Sequence, residues 1–337
     1  MKFGLFTVFD NYLNELPRTA GQFIDQVLEQ TVLAEECGYD AVWYAEHHFS
    51  EYGVLTSPQL LMTAAAGVTK RIRLGVSVVV LPFHDPVRIA EDFALVDYLS
   101  RGRLNMGLGS GYLPHEFGGF KVDASIKPFL FNEKLAILQR LWNGERFTFT
   151  GDYHEYGEIG LELLPVQKPV PTWVAALRPQ SVEYVAKMGQ PIMGVAYVNS
   201  NSVAELKAIL DHYDEVSRAS GFDPDRMEKP VALHVHVAET SEEAKKNAYE
   251  PVNRYLRTRQ YGKGAAYEDL AAREQLIVGS PADCIAEIRK YQDAGVNHLM
   301  CLMNFGGMEH EKVKSSIKLF AEEVMPAFRE APTAERV

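Results

Sequence analysis

The stretch Ala41-Val-Trp-Tyr-Ala-Glu-His-His-Phe-Ser50 joins an apolar run to a polar end that carries two adjacent histidines. The run predicts a short buried strand, and Glu46, His47 and His48 follow directly after it. In a parallel sheet, side chains just past the carboxyl ends of the strands line the ligand crevice. A lone loop histidine is usually only solvated. Two histidines that follow a carboxylate among aromatic residues favour a functional site.

An apolar run followed by a helical pattern recurs along the rest of the chain. The predicted strands cover Lys2 to Val8, Ala41 to Tyr44, Ile72 to Leu81, Leu104 to Leu108, Thr172 to Ala176, Ile192 to Val198, Val231 to Val237 and His298 to Met303. A predicted helix follows each strand, and Gly38, Gly189 and Gly295 have the position of left-handed stops at three helix ends. Eight such pairs in 337 residues predict a single (β/α)8 TIM barrel with insertions. A doubly wound open sheet is the alternative, because periodicity does not show whether the last strand pairs with the first.

Three stretches interrupt this alternation, and we interpret them as insertions in a single domain of residues 1–337, at about 109–125, 146–164 and 256–276. The third stretch is charged, contains Gly262 and Gly264, and follows the seventh predicted strand. Loops after barrel strands lie on the ligand side, so we interpret this stretch as a lid over a bound cofactor. An ordinary surface loop is the alternative interpretation.

Composition narrows the class of protein. The formal net charge of -11 argues against a nucleic-acid or anionic-membrane partner. No apolar run is long enough to cross a bilayer, and the amino-terminal residues predict a strand rather than a targeting segment. Cys37, Cys284 and Cys301 are far apart and lack metal-like spacing. These features predict a cytoplasmic protein with reduced cysteines.

Two further motifs are weaker. Gly107-x-Gly109-x-Gly111 follows a strand but lacks the spacing of a dinucleotide fingerprint, so we interpret its glycines as allowing close approach of a flat ligand. His234-x-His236 places two rings on one side of a strand, as in some metal-dependent barrel hydrolases. The other strand ends offer few further ligands, so we expect supporting histidines and no metal site. A Gly-x-Ser-x-Gly nucleophile elbow is also missing from the sequence.

Several segments occur in an order that resembles the bacterial luciferase-like flavin monooxygenases over nearly the whole chain. They are Met1-Lys-Phe-Gly-Leu-Phe6, Glu36-Cys-Gly-Tyr-Asp-Ala-Val-Trp-Tyr-Ala-Glu-His-His-Phe49, Leu81-Pro-Phe-His-Asp-Pro-Val-Arg88, Ser100-Arg-Gly-Arg-Leu104 and Gly279-Ser-Pro-Ala-Asp-Cys-Ile285. The resemblance implies a (β/α)8 barrel that takes reduced FMN from a separate flavin reductase. It also implies that O2 is activated as a flavin C4a-hydroperoxide, which oxygenates a small-molecule substrate.

The resemblance also assigns residues near the flavin ring. His47 matches the family's catalytic histidine, and an imidazole there can take or relay a proton near neutral pH. Ser77 and Val78 match the place where the family holds a cis peptide under the isoalloxazine ring. Ser110 falls where luciferase has a reactive cysteine near the flavin C4a atom.

The phosphate end of the cofactor matches the family less well. The segment that runs beside the flavin and on to its phosphate corresponds to Ala175, Ala176, Leu177 and Ser181. Gly111 replaces one phosphate arginine of luciferase, and a second expected arginine is missing before the helix near Phe129. A phosphate dianion needs donors, so we assign that role to Arg178, Ser181 and Lys127.

Two functions therefore stay open. The first is an FMN-dependent monooxygenase, and the second is an oxidoreductase of the same fold that transfers hydride from the deazaflavin F420. Apolar helices predicted over Gln59 to Thr69 and Val87 to Leu99 lack a full polar face. We therefore expect a homodimer that forms through these helices, on the face that the family resemblance also implies.

Overall fold

The structure is a computed structural model, and it describes residues 1–176, 179–258 and 265–329. Its strands are β1 (Lys2–Thr7), β2 (Ala41–Tyr44), β3 (Arg73–Val80), β4 (Leu104–Gly109), β5 (Phe147–Thr150), β6 (Glu155–Ile159), β7 (Thr172–Ala175), β8 (Ile192–Val195), β9 (Pro230–Val237), β10 (Leu276–Gly279) and β11 (His298–Asn304). Its α-helices are α1 (Ala20–Glu36), α2 (Pro58–Val68), α3 (Pro86–Ser100), α4 (Pro114–Phe120), α5 (Lys127–Trp142), α6 (Pro179–Lys187), α7 (Ala196–Asn199), α8 (Val203–Ala219), α9 (Ser241–Thr258), α10 (Tyr267–Ala272), α11 (Pro281–Asp293) and α12 (His310–Leu319).

The main sheet closes on itself. Its strand order is β10-β9-β11-β1-β2-β3-β4-β7-β8, and β8 also pairs with β9. The closing contact pairs Gly194 with Val231 and Val195 with Ala232, in parallel. Strand β10 continues along the end of β9, beyond the point where β8 stops. The predicted (β/α)8 TIM barrel is thus confirmed, and the open sheet is wrong.

Burial on both faces accounts for the apolar strands. All four residues of β2 and all seven of β11 are buried, as expected for strands that pack against the barrel interior and the outer helices. The three predicted left-handed stops are confirmed, since φ is 79° at Gly38, 65° at Gly189 and 97° at Gly295. Each of these glycines turns the chain from a helix towards the next strand.

One predicted strand is wrong over its second half. We expected a strand from Ile192 to Val198, but β8 ends at Val195 and the short helix α7 follows. The backbone N–H and the hydroxyl of Ser200 both donate to the Ala196 carbonyl, which closes a helical turn. The apolar run fits either structure, so its period could not separate them.

The three interrupting stretches contain regular structure that the sequence pattern did not predict. Helix α4 lies within 109–125, and the antiparallel pair β5–β6 forms a hairpin within 146–164. The stretch 256–276 contains the end of α9, then α10, and it leads into β10. Residues 259–264, the centre of the lid prediction, lie outside the described residues. In the part of the chain that is described, no helix is both long and apolar enough to cross a membrane.

Candidate active site

His47 lies at the carboxyl end of the barrel and is bonded to a buried carboxylate. Its Nδ1 is 3.0 Å from Oε1 of Glu116, and the same oxygen accepts the backbone N–H of His48 at 2.9 Å. Pro114 starts helix α4, which places Glu116 in the first turn of that helix with its side chain buried. A carboxylate at Nδ1 fixes the orientation and tautomer of an imidazole. Glu116 therefore holds the His47 ring through Nδ1, and Nε2 is the ring nitrogen outside this pair.

A second carboxylate joins two neighbouring loops. Oε1 of Glu46 is 2.8 Å from Nε2 of His48 and 2.7 Å from Nε2 of His84, and Oε2 accepts the backbone N–H of Val80 at 3.1 Å. Burial raises the pKa of Glu46, but the hydrogen bonds from both histidines outweigh it, so the pKa lies below its ordinary value. Glu46 is thus an ionised carboxylate that ties the loop after β2 to the loop after β3.

The ligand atoms of Glu46, His48 and His84 all lie within 4.8 Å of one another, which is compact enough to hold a metal ion. The distances from the carboxylate to both nitrogens are those of direct hydrogen bonds. We therefore describe the group as a hydrogen-bonded cluster. His234 and His236, which the sequence singled out as possible ligands, are not part of it.

The backbone around His47 is held by close packing. A Cβ atom on Gly53 would lie 2.4 Å from Cβ of His47, so only glycine fits where the loop folds back. The backbone N–H of His47 donates to the Leu55 carbonyl at 3.1 Å. Phe49 has a left-handed φ of 59°, which turns the chain out of the site. These contacts fix the direction of the His47 side chain.

A row of four phenols, which we call the tyrosine row, lies beside the imidazole. Its members are Tyr112, Tyr52, Tyr255 and Tyr197. The Tyr112 hydroxyl donates to that of Tyr52 at 3.4 Å, and Tyr255 shares hydrogen bonds of 3.1 Å with both Tyr52 and Tyr197. The His47 ring centre is 4.5 Å from that of Tyr52 and 6.1 Å from that of Tyr112. Burial raises the pKa of Tyr255 well above its ordinary value, so this phenol keeps its proton.

A cavity of about 200 Å³ opens next to the tyrosine row. It is lined by Phe49, Ser50, Tyr52, Tyr112, Leu113, His115 and Thr258. Tyr52 and Tyr112 form its boundary with His47. A ligand in the cavity would therefore lie close to the imidazole.

The structure brings the predicted flavin-ring residues onto adjacent strand ends. The bond between Ser77 and Val78 is a cis peptide, at the position that the resemblance implied. A Cβ on Gly109, the residue before Ser110, would lie 2.6 Å from the Val78 side chain and 3.7 Å from Ala175. Strands β3, β4 and β7 thus meet here. Ser77, Val78, Ser110, Gly111 and Ala175 are half-buried, and Ala176 is buried.

The glycine run has a different role from the one predicted. A Cβ on Gly107 would lie 2.3 Å from the backbone oxygen of Val76, and one on Gly109 would overlap Val78. Neighbouring strands occupy the space at both glycines. Gly111 has a φ of 76°, which favours glycine at the turn after β4. The interpretation that these glycines admit a ligand is wrong for Gly107 and Gly109, whose small size serves strand packing.

The predicted phosphate residues are more scattered. Lys127 donates from Nζ to the Gly111 carbonyl at 2.8 Å, which ties the start of α5 to the loop after β4. Ser181 is exposed in the first turn of α6. Leu177 and Arg178 lie outside the described residues.

His234 and His236 are buried on β9, and their ring nitrogens have no hydrogen-bond partner among the described residues. The ring centre of His234 lies 4.7 to 5.1 Å from those of Tyr197, Tyr255 and Phe305. Burial lowers the pKa of His234 to about 3 and that of His236 to about 4. Both side chains are therefore neutral, as expected for supporting histidines.

Sequence reasoning missed Glu116, His84 and Tyr255 as members of the site. Glu116 lies 69 residues from His47, in a loop rich in glycine and aromatic residues. One signal was available, because a loop that follows β4 ends on the same edge of the barrel as the loop that carries His47. An acidic residue in such a loop is a candidate partner for the histidine.

Comparison with known proteins gives a consistent result. The family model described as luciferase-like monooxygenase matches residues 1–298. The 4-hydroxyprotoasukamycin monooxygenase of Streptomyces nodosus subsp. asukaensis is 30% identical over 96% of this chain and 92% of its own length. The oxygenase component of the flavin-dependent trigonelline monooxygenase of Acinetobacter baylyi is 26% identical over 100% of this chain and 98% of its own.

Solved structures share the barrel. The monooxygenase RslO1 from Streptomyces bottropensis has a TM-score of 0.91 at 28% identity, over 98% of this chain and 100% of its own. Two structures resemble this chain in fold alone, at 22% and 20% identity with TM-scores of 0.82 and 0.80, and both align over at least 97% of each chain. They are the FMN complex of the oxygenating constituent of 3,6-diketocamphane monooxygenase from Pseudomonas putida, and an F420-dependent secondary alcohol dehydrogenase.

Proposed function

The chain belongs to the luciferase-like monooxygenase family and is an enzyme, and from this premise we propose that it is a monooxygenase that uses reduced FMN and O2. The overall reaction inserts one oxygen atom into a small organic substrate: substrate-H, O2 and FMNH2 give substrate-OH, FMN and water. The observation that carries the proposal is the His47–Glu116 pair beside a cavity at the carboxyl end of the barrel. That edge carries the active site in barrel enzymes.

The residues fit a flat cofactor ring. Ser77, Val78, Ser110 and Ala175 are small and half-buried, and they lie on strand ends that contact one another. Tyr112, which lines the cavity, follows Ser110 by two residues in the sequence. Bound reduced FMN would supply the two electrons and the atom at which O2 is activated.

The phosphate of FMN would lie near the start of α6. Helix N-termini attract anions, and exposed Ser181 lies in that first turn, three residues after Arg178 in the sequence. Lys127 donates to the carbonyl of Gly111, the residue that follows Ser110. We assign the phosphate to Ser181 and Arg178, with Lys127 shaping the loop.

His47 would hold and move the proton that oxygen transfer requires. The carboxylate of Glu116 accepts a hydrogen bond from Nδ1 of His47, so Nε2 is the nitrogen that would give or take a proton. Histidine is the side chain that most readily gives or takes a proton at neutral pH. Glu46, with His48 and His84, fixes the loop that carries His47.

A separate flavin reductase is the proposed source of FMNH2. One relative is named as an oxygenase component, which indicates a two-component system in that protein. We also place the enzyme in the cytoplasm, because Cys37, Cys284 and Cys301 are all unpaired in the described chain.

Anaerobic titration with reduced FMN and, separately, with reduced F420, followed by an oxygen pulse, tests the cofactor and the reaction class. We expect reduced FMN to bind and to react with O2 through a transient absorbance distinct from free reduced and oxidised flavin. Binding of F420 alone, with oxidation that does not depend on O2, would replace the monooxygenase with the hydride-transfer alternative.

We further propose a homodimer that forms through α2 and α3. These helices pack on each other and expose Leu60 (69%), Val68 (55%) and Tyr98 (57%). The variant Leu60→Glu should lower the mass measured by light scattering from dimer to monomer. Leu13→Glu is the matched control, because Leu13 is similarly exposed (58%) and lies outside both helices. A wild-type monomer at micromolar concentration would contradict the proposal.

A further inference from the structure

We propose that the cavity beside the tyrosine row binds a neutral, planar ring that carries a hydroxyl or carbonyl oxygen, as a phenol or a quinone does. This inference rests on the proposed function, because it treats the cavity as the place of the oxygenated substrate. It adds the chemical class of that substrate, which neither the fold nor the catalytic pair determines.

The described lining of the cavity is made of aromatic, aliphatic and hydroxyl-bearing side chains. Among the described residues that line it, there is no aspartate, glutamate, lysine or arginine. Its one imidazole, His115, is hydrogen-bonded through Nε2 to the His48 carbonyl at 3.1 Å. A carboxylate or ammonium group that leaves water for such a wall loses its hydration without gaining an opposite charge. The wall therefore favours an uncharged ligand.

Aromatic faces enclose the space. Phe49, Tyr52, Tyr112 and His115 all line it. Phe49 is exposed, but its ring is held 5.2 Å from that of Phe120, so it forms a fixed edge at the mouth. Flat rings stack well between such faces, whereas a flexible alkyl chain gains less and loses more conformational freedom. The volume of about 200 Å³ is below the range of roughly 300–1,000 Å³ for drug-sized ligands, so one or two rings fit.

Hydroxyl groups give the wall its polarity. Tyr52, Tyr112, Ser50 and Thr258 bring hydroxyl-bearing side chains to the cavity. The hydrogen bond from Tyr112 to Tyr52 is 3.4 Å long, compared with 3.1 Å for the two bonds made by Tyr255. The longer bond is the weaker one, so its exchange for a bond to a ligand oxygen costs less than the exchange of either bond made by Tyr255. An oxygen substituent on the ring would then be bound next to His47.

The proposal predicts a ranking among ligands of similar size. In equilibrium dialysis with the purified full-length protein and no flavin, we expect 2-naphthol to bind about tenfold or more tightly than 2-naphthoate or 1-octanol, because of the charge and shape of the cavity. Tyr112→Phe keeps the ring and removes the hydroxyl. This variant should bind 2-naphthol about three- to tenfold more weakly, which is the effect of one hydrogen bond. Its affinity for naphthalene should be unchanged.

Tyr44→Phe is the matched control, because the buried Tyr44 hydroxyl bonds to Thr31 and does not line the cavity. This variant should not change the affinity for 2-naphthol or for naphthalene. Binding of 2-naphthoate or 1-octanol as tight as that of 2-naphthol would overturn the inference, as would equal losses for naphthalene and 2-naphthol in Tyr112→Phe. Dialysis involves no oxygen chemistry, so its failure is separate from a failure of the oxygen pulse, which tests the monooxygenase itself.

Discussion

Two pairs of histidines on the same barrel have opposite surroundings. His47 and His48, in the loop after β2, each bond to a buried carboxylate, whereas the rings of His234 and His236 on β9 have no such partner among the described residues. Burial lowers the pKa values of the β9 pair to about 3 and about 4. Each histidine of the first pair therefore lies beside a negative charge, whereas the second pair is held neutral.

The difference shows that residue type and sequence spacing alone do not determine the protonation behaviour of a histidine. His47 and His48 are adjacent in sequence, and His234 and His236 are two residues apart. All four side chains are buried. A carboxylate orients an imidazole and compensates its positive charge, while an apolar surrounding excludes that charge. The partner groups, of which Glu116 is 69 residues away from His47, therefore determine whether a histidine on this barrel can carry a positive charge.

Removal of His47 should have the largest effect. We expect His47→Ala to lower the oxygenation rate by about 10²- to 10⁴-fold, the usual contribution of a general acid or base. Flavin binding, measured by titration, should change little because the role is proton transfer. His48→Ala should cost less, since His48 supports the loop through Glu46. A loss below tenfold for His47→Ala would remove it from the catalytic role.

Glu116→Gln should have the next largest effect. The glutamine keeps the size of the side chain but removes the charge that orients His47, so we expect kcat to fall roughly tenfold to a hundredfold, less than His47 itself contributes. The pH profile of kcat should also shift, because the charge beside the imidazole is gone.

Glu133→Gln is the control for Glu116→Gln. Glu133 bonds to Nδ1 of His154 in the β5–β6 hairpin, which repeats the carboxylate–imidazole pairing away from the cavity. Its substitution should leave kcat and its pH profile unchanged. If both variants lost activity equally, a general effect on stability would explain the loss at Glu116.

The β9 pair should act on stability through pH. An unfolded histidine has a pKa near 6.5, and burial lowers that of His234 to about 3. Between these values the unfolded chain binds more protons, so the stabilisation is complete above pH 6.5 and declines as the pH falls. Between neutral pH and about pH 5, the wild type should lose about 2 kcal/mol of its free energy of unfolding through His234. The variant His234→Leu has no such group and should not show this loss.

Urea unfolding of wild type and His234→Leu at several pH values measures this difference. His212→Leu provides the comparison, because His212 is exposed on α8 and should leave the pH dependence unchanged. Parallel pH curves for wild type and His234→Leu would show that His234 is not the buried neutral group described above.

Much of the fold could be predicted because it depends on local rules. The strand–helix alternation and the left-handed glycines Gly38, Gly189 and Gly295 located the barrel elements. The hairpin β5–β6 was missed because its strands have only 4 and 5 residues, and β6 is polar and largely exposed. Helix α4 was missed because it is short and rich in glycine.

The site was less predictable than the fold. His47 was found because it directly follows a strand, and the cis peptide at Ser77 and Val78 was found by resemblance. Glu116 and Tyr255 reach the same space from α4 and α9, and no local pattern joins elements that are so far apart in sequence. They come together only when the barrel closes, and local sequence patterns do not predict such long-range contacts.

The sharing of one carboxylate oxygen between His48 and His84 has a consequence for directed evolution. A library that varies Glu46 alone would leave two imidazoles without their acceptor, and one that varies either histidine alone would weaken the compensation of a buried charge. Each single substitution at these positions would lower activity or stability. A simultaneous replacement of all three side chains by a set of matched volume need not lower either, because the effects of contacting residues are not additive. Codons 46, 48 and 84 should therefore be randomised together, whereas Tyr112 and Thr258 at the cavity wall can be screened one at a time.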